Sequence, residues 1–394
     1  MRTLFLKIER RKKHFQMTSL RLFHCLRRTA STLSSFQNVT SKEVATNDFS
    51  KTDEPVTEAS LRLPPLPSPR DLLKLYRIKA QRNLSQNFLL DFRLNNKIVT
   101  STGNVKDHYV CEIGPGPGNI TRAILQNGAK HVIVIEKDRR FLPALELLAD
   151  ASGGRLKIIL GDIMELNLEN ILPKNLAHDW EIHPPPLYII GNLPFNISTP
   201  LIIKWLRFCS VHKGPFAHGR TRLSLTFQKE VADRMVAEVG ANCRCRLSVI
   251  CQYLCHVDNL FTIPGRAFFP KPEVDVSVVR FTPRIRPLIS QPFEIVNKVI
   301  STIFQHRQKF SLYGIKNLFP KENPELVEEI VQRTKINPEK KSFELEMEDY
   351  KALCDVYSEM CNRHNNLFNY MYQIHQKDEY PLDADVTDEL PTNK

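Results

Sequence analysis

Four short stretches of this 394-residue chain hold residue types whose spacing could do chemistry. The most suggestive is Ile190-Gly191-Asn192-Leu193-Pro194-Phe195-Asn196, which offers a carboxamide, a stiffened turn and an aromatic ring in succession. The exocyclic amine of a nucleobase has its lone pair delocalised into the ring, so it attacks an electrophile only when acceptors aimed at its N–H groups draw it toward tetrahedral geometry. The Asn192 side-chain oxygen and the Leu193 carbonyl are the candidate acceptors, with Pro194 fixing the turn and Phe195 free to stack on the base. In isolation the same letters also spell an Asn-capped turn. No Ser-His-Asp or Cys-His pairing is needed for such chemistry if a cofactor carries the reactive group.

The other three stretches look like the means of holding that cofactor. Glu112-Ile113-Gly114-Pro115-Gly116-Pro117-Gly118 follows an apolar run and precedes a helical one, and alternate glycines let backbone pass close to a ligand. The spacing differs from the dinucleotide fingerprint. Glu136 ends the next apolar run, where a carboxylate accepts from both hydroxyls of a ribose, and Asp162 ends the one after, suited to an exocyclic amine. Glu112 either fixes the loop or meets an ammonium group. Taken singly each acid could be a solvated cap, but three in this order point to a nucleoside-bearing cofactor.

Such residues need strands to present them. Tyr109–Ile113, His131–Ile135, Leu156–Leu160, Leu187–Ile190, Leu223–Phe227, Leu247–Leu254 and Val274–Phe281 are candidate strands, mostly separated by helical patterns. The pattern predicts an α/β fold with a doubly wound, seven-stranded, mostly parallel sheet, with ligands at the carboxyl ends of its strands. The last run follows a Pro-rich segment rather than a helix, so it is expected to pair antiparallel at the sheet end. Residues 71–82 are predicted to form a helix. Helical periodicity over Phe293–Phe304 and Pro324–Thr334 predicts a small all-helical second domain. The expected divisions are 1–40, 41–62 as a linker, 63–285 as the sheet domain, 286–375 as the helical domain, and 376–394 as an acidic disordered tail.

The formal charge of +12 suggests a polyanionic partner, with Lys229, Arg234, Arg244, Arg246, Lys271, Arg307 and Lys309 as candidate phosphate contacts. Residues 1–40 contain one acid, Glu9, among arginines, leucines and a Ser/Thr-rich stretch, which reads as a mitochondrial transit peptide or, alternatively, a basic RNA-binding arm. Met17 offers a second start. No apolar run is long enough for a membrane span. The nine cysteines suit reduced thiols; Cys243, Cys245, Cys251 and Cys255 with His256 match no zinc-finger spacing, so no metal is expected.

With these motifs in order, and with Leu84-Ser85-Gln86-Asn87-Phe88-Leu89, Phe227–Arg234 and Phe268–Val278 beside them, the chain resembles the rRNA adenine N6-dimethyltransferases, in particular their mitochondrial branch, over roughly residues 61–372. The resemblance implies a Rossmann-like class I methyltransferase domain using S-adenosylmethionine. It implies a cofactor pocket of Gln86, Asn87, Leu89, Glu112, Gly114, Gly116, Glu136, Lys137, Asp162, Ile163 and Asn192, and a catalytic set of Asn192, Leu193, Pro194 and Phe195. Phe268, otherwise readable as core, would pack on the target base opposite Phe195. Ser85 and Phe195 stand where many bacterial relatives have Gly and Tyr, and Gln308 replaces a basic residue in Phe304–Lys309. The implied substrate is a hairpin loop near the 3′ end of small-subunit rRNA in a precursor of the small ribosomal subunit, with two adjacent adenines dimethylated in the mitochondrial matrix by a monomer. A non-catalytic mitochondrial factor for transcription or ribosome assembly is the alternative. A DNA adenine methyltransferase would usually carry Pro where this chain has Leu193.

Overall fold

A computed structural model describes residues 63–81, 86–364 and 366–370. The expected transit peptide, the whole of the expected linker and the acidic tail lie outside the described residues.

Nine strands and twelve α-helices are described. The short β1 (Phe88–Leu89) is followed by β2 (Tyr109–Ile113), β3 (His131–Glu136), β4 (Leu156–Leu160), β5 (Leu187–Gly191) and β6 (Arg222–Gln228), then by β7 (Cys255–Ile263), β8 (Phe268–Phe269) and β9 (Val276–Pro283). The main sheet has the order β4-β3-β2-β5-β6-β9-β7, parallel from β4 through β6 and antiparallel at β9 and β7. A central parallel strand is covered on both faces, which is why β2, β3 and β5 read as unbroken apolar runs and are buried throughout. Their side chains alternate between two cores. Val110, Val132 and Ile190 pack toward α2 (Phe92–Thr102), α3 (Asn119–Gln126) and α4 (Leu142–Ala151), while Cys111, Ile133 and Ile189 face the opposite side.

That second core runs on without a break. It takes in Leu201 and Trp205 of α6 (Phe195–Cys209), then Val296 of α9 (Phe293–Phe304), Ile330 of α11 (Pro324–Thr334) and Leu353 of α12 (Met347–Arg363). The change to helices expected near residue 285 is therefore a change of secondary structure across which packing continues.

Three sequence expectations need correction. Leu247–Leu254 forms α8 (Arg246–Leu254), and the seventh place in the sheet goes to β7. The run is apolar at nearly every position because the helix is buried nearly all round, and periodicity alone does not separate that from a buried strand. Its start is marked by the Ser248 hydroxyl, which accepts from the Cys245 N–H at 2.9 Å. Second, β9 is antiparallel as expected, but it lies between β6 and β7, and β7 forms the edge. Third, the helix predicted over 71–82 is α1 (Pro69–Leu75), which starts on the Ser68 cap and stops before Arg77, at φ +52°. Between these elements lie α5 (Leu168–Ile171), α7 (Lys229–Met235) and α10 (Ser311–Lys316).

Candidate active site

Register decides which strand ends meet. Ile113 pairs with Ile135 on one side and Gly191 on the other, so the glycine loop, Glu136 and Asn192 leave the sheet side by side. A Cβ on Gly191 would stand 3.2 Å from the Ile113 carbonyl, so glycine permits this close approach. Gly114, Gly116 and Gly118 all have positive φ, and the last leads directly into α3.

These ends surround a cleft lined by Gln86–Leu89, Glu112, Gly114–Pro117, Glu136, Asn192–Phe195 and Phe268, together with Asn95, Asn119, Ile120 and Phe141. Lys137, Asp162 and Ile163 stand at the neighbouring β3 and β4 ends, outside that lining. Every other residue expected at the cofactor or the base lines the cleft.

The end of the cleft expected to take the cofactor, here called the cofactor end, is built from buried carboxylates held by backbone and hydroxyl donors. Glu136 accepts from the Gly116 N–H at 3.0 Å and the Asp138 N–H at 2.8 Å; burial nonetheless pushes its pKa above the usual carboxylate range. Each of its oxygens retains a lone pair for a further donor. Glu112, buried beside it, accepts from the Thr121 hydroxyl at 2.6 Å and is pushed up to about 8, by burial first and by the Glu136 charge in addition. Asp162 is the contrast: burial would raise it, but the Lys137 ammonium at 2.6 Å and the Met164 N–H at 2.9 Å outweigh that and hold it low.

The strap of residues 86–89 covers this end, and contacts absent from the sequence reading fix it. The Gln86 amide donates to Asp138 at 2.9 Å; Arg140 clamps the same carboxylate and also donates to the Lys79 carbonyl at 3.0 Å. Asn95 and Asn119 both donate to the Leu89 carbonyl, at 3.0 and 2.7 Å. Leu89 pairs with Phe268 through the β1–β8 bridge, so the strap and the segment bearing Phe268 are one unit. Thr226 was missed as well. Its hydroxyl accepts from the Leu193 N–H at 3.1 Å and donates to Asn192 Oδ1 at 3.0 Å, while Asn192 Nδ2 donates to the Asn87 carbonyl at 3.2 Å. The available signal was a polar residue two positions from Ser224 inside a buried central strand.

The residues present fit an S-adenosyl nucleoside. A Cβ at Gly114 would meet nothing within 4 Å, which leaves backbone facing open space, and Glu136 supplies buried acceptor capacity a few residues away. Facing them, Asn192, Leu193 and the rings of Phe195 and Phe268 offer neutral acceptors and flat apolar surface. The cleft can therefore hold a charged cofactor at one end and a planar neutral base at the other.

The expected phosphate contacts divide. Lys271 and Lys309 are exposed; Lys229 pairs with Asp233 at 2.6 Å and Arg234 with Glu230 at 2.8 Å, while Arg246 is half-buried near Ser301. Arg307 donates to the carbonyls of Arg244 and Asn242 and lies over the Phe343 ring. Arg244 is a correction. It is 1% exposed, with its guanidinium spent on the Ala237 carbonyl and Gln252, so it braces the loop before α8 and does not present a charge to RNA. Among the described residues no cluster of His, Cys, Asp or Glu is arranged to hold a metal, and no helix is long and apolar enough to cross a membrane.

The chain is 50% identical over 316 residues to mitochondrial dimethyladenosine transferase 1 of Xenopus tropicalis and 49% identical over 316 residues to the human protein of that name, in each case over 80% of this chain and 91% of the relative. A dimethyladenosine transferase crystal structure from Plasmodium falciparum shares the fold with a TM-score of 0.53 at 23% identity, covering 71% of this chain and 98% of that one. Residues 77–376, which contain the glycine loop, Asn192–Phe195 and Phe268, match the ribosomal RNA adenine dimethylase model, and the chain belongs to that family.

Proposed function

We propose that this protein dimethylates N6 of two adjacent adenines in a 3′-terminal hairpin loop of mitochondrial small-subunit rRNA, acting in the mitochondrial matrix on the small ribosomal subunit or its precursor. The observation that carries this reading is the convergence of Asn192, Leu193, Phe195 and Phe268 on the same cleft as Gly114 and Glu136. S-adenosylmethionine, when bound, supplies an electrophilic sulfonium methyl group. Glu136 would hold the ribose hydroxyls, and the glycine loop would let the rest of the molecule lie against backbone. A hairpin loop suits the opposite end, because its unpaired bases leave the stack at small cost. Phe195 and Phe268 would clasp the base, with aromatic stacking worth about 1–3 kcal/mol. Asn192 Oδ1 and the Leu193 carbonyl would accept from the N6–H groups, two in the first transfer and the one that remains in the second, raising electron density on nitrogen; each N–C bond would form as an S–CH3 bond breaks, with one proton lost from N6 to solvent.

The mitochondrial assignment is supported by the names of the relatives and by the Arg-rich leader, and the rRNA assignment by the family. Primer extension on small-subunit rRNA tests both substrate and product, because two N6 methyl groups block Watson–Crick pairing. Adding the protein and S-adenosylmethionine to unmodified subunits is expected to create a strong stop at the two adenines. An unchanged stop pattern, with rRNA still bound, would favour the non-catalytic binding factor.

A further inference from the structure

Thr226 does more than fill a position in β6. It is buried at 1% exposure in a central strand, and its single hydroxyl makes two bonds that together fix which way the Asn192 carboxamide points. The Leu193 N–H can only donate, so it occupies the Thr226 oxygen as acceptor and leaves the hydroxyl proton for another partner. That partner is Asn192 Oδ1 at 3.0 Å. At the far end of the same carboxamide, the Asn87 carbonyl can only accept and takes Nδ2 at 3.2 Å. Reversing the amide would set oxygen against the Asn87 carbonyl oxygen and leave the Thr226 proton facing an NH2 group, so both ends oppose the flip.

We infer that Thr226 is a positioning residue for methyl transfer, holding Asn192 with its carboxamide oxygen, rather than its NH2 group, available to the target amine. The inference rests on the role proposed above for Asn192 and adds what enforces it. One lone pair of Oδ1 is occupied by Thr226, and the other remains for an N6–H. The same hydroxyl also accepts from the Leu193 N–H, so the side chain of Asn192 and the peptide that follows it are tied to one point on β6. Thr226 is buried, so removing its hydroxyl takes away the protein donor that Asn192 Oδ1 has on the strand side. The bond to Asn87 carries the arrangement to the strap over the cofactor end, so the strap and the acceptor of the base are connected through a single carboxamide.

Two variants separate orientation from packing. T226V keeps the volume and removes the hydroxyl; T226S keeps the hydroxyl and removes a methyl group. Each full-length variant would be assayed for methyl transfer to a small-subunit rRNA hairpin transcript, with KM for RNA, affinity for S-adenosylmethionine and thermal unfolding measured alongside. Orientation predicts that T226V lowers kcat about 10- to 100-fold, with KM and cofactor affinity within about threefold of wild type, and that T226S restores most of the loss. Wild-type kcat in T226V, equal losses in both variants, or a larger loss in T226S would overturn the inference while leaving the proposed function standing. A wild-type protein that transfers no methyl group would bring down that reading and this inference together.

Discussion

The two ends of the cleft differ in electrostatic character. At the cofactor end stand Glu112 and Glu136, buried carboxylates whose pKa values burial drives upward, beside a loop of backbone N–H groups. At the base end no residue of the cleft lining carries a formal charge: Asn192, Leu193, Pro194, Phe195 and Phe268 offer amide oxygens and rings. The difference matches the chemistry. A sulfonium cofactor is cationic, and it favours the ionised form of a buried carboxyl group beside it, because little water screens the two charges. An adenine is neutral, and a charged group beside its amine would risk pulling on the cofactor instead of the base. Neutral acceptors fixed by Thr226 and Asn87 can favour one geometry of the amine without competing for the sulfonium.

If the two ends are functionally separate, substitutions should separate binding from turnover. The largest effect is expected for N192A, which removes an acceptor that matters most as the amine becomes tetrahedral. Its kcat for rRNA methylation should fall about 100- to 1,000-fold, with cofactor affinity by calorimetry within about threefold. E136Q should do the reverse. Losing the charge of the acceptor proposed for the ribose is expected to weaken S-adenosylmethionine binding about 10- to 100-fold, with kcat at saturating cofactor little changed. A large loss of cofactor affinity in N192A would break the comparison, since Asn192 also touches the strap through Asn87.

How far the sequence revealed the two ends differs for a physical reason. The glycine loop, Glu136 and Asn192–Phe195 were legible because each occupies a contiguous stretch at the end of an apolar run, and order along the chain becomes order along the sheet edge. Phe268 became assignable only by family resemblance, since a buried phenylalanine has no local mark of function. What fixes these groups was not legible. Thr226 lies 34 residues from Asn192, and Gln86 lies 52 residues from Asp138; such pairs exist only once the sheet has brought them together. The swap of α8 for a strand has a related cause: full burial erases the periodicity that distinguishes helix from strand. Arg244 shows the converse error, a basic residue in a basic neighbourhood whose charge the fold turns inward.

The smallest and most diagnostic effect concerns Glu112. Its pKa of about 8 in the folded protein lies above the ordinary value of 4.5, with burial the first cause and Glu136 adding to it. At neutral pH the free protein therefore keeps a proton on Glu112 that the unfolded chain has given up. By linkage, this group makes stability fall as pH rises from about 4.5 to about 8, and adds no further slope outside that window. A cationic cofactor in the same cleft stabilises the carboxylate and lowers its pKa. Binding at pH 7 should then release a fraction of a proton, and affinity should rise with pH by at most about tenfold per unit until it levels off near 8. Calorimetry of S-adenosylmethionine binding in buffers of different ionisation enthalpy reads that release directly. E112Q, which keeps the shape and an acceptor for Thr121, should bind with a smaller proton release and a flatter pH profile, while Asn192-dependent kcat at saturation stays within about threefold. If proton release is the same in E112Q and wild type, the carboxylates of the cofactor end do not respond to the ligand's charge. The contrast between a charged end and a neutral end would then describe the protein's composition without describing how it binds.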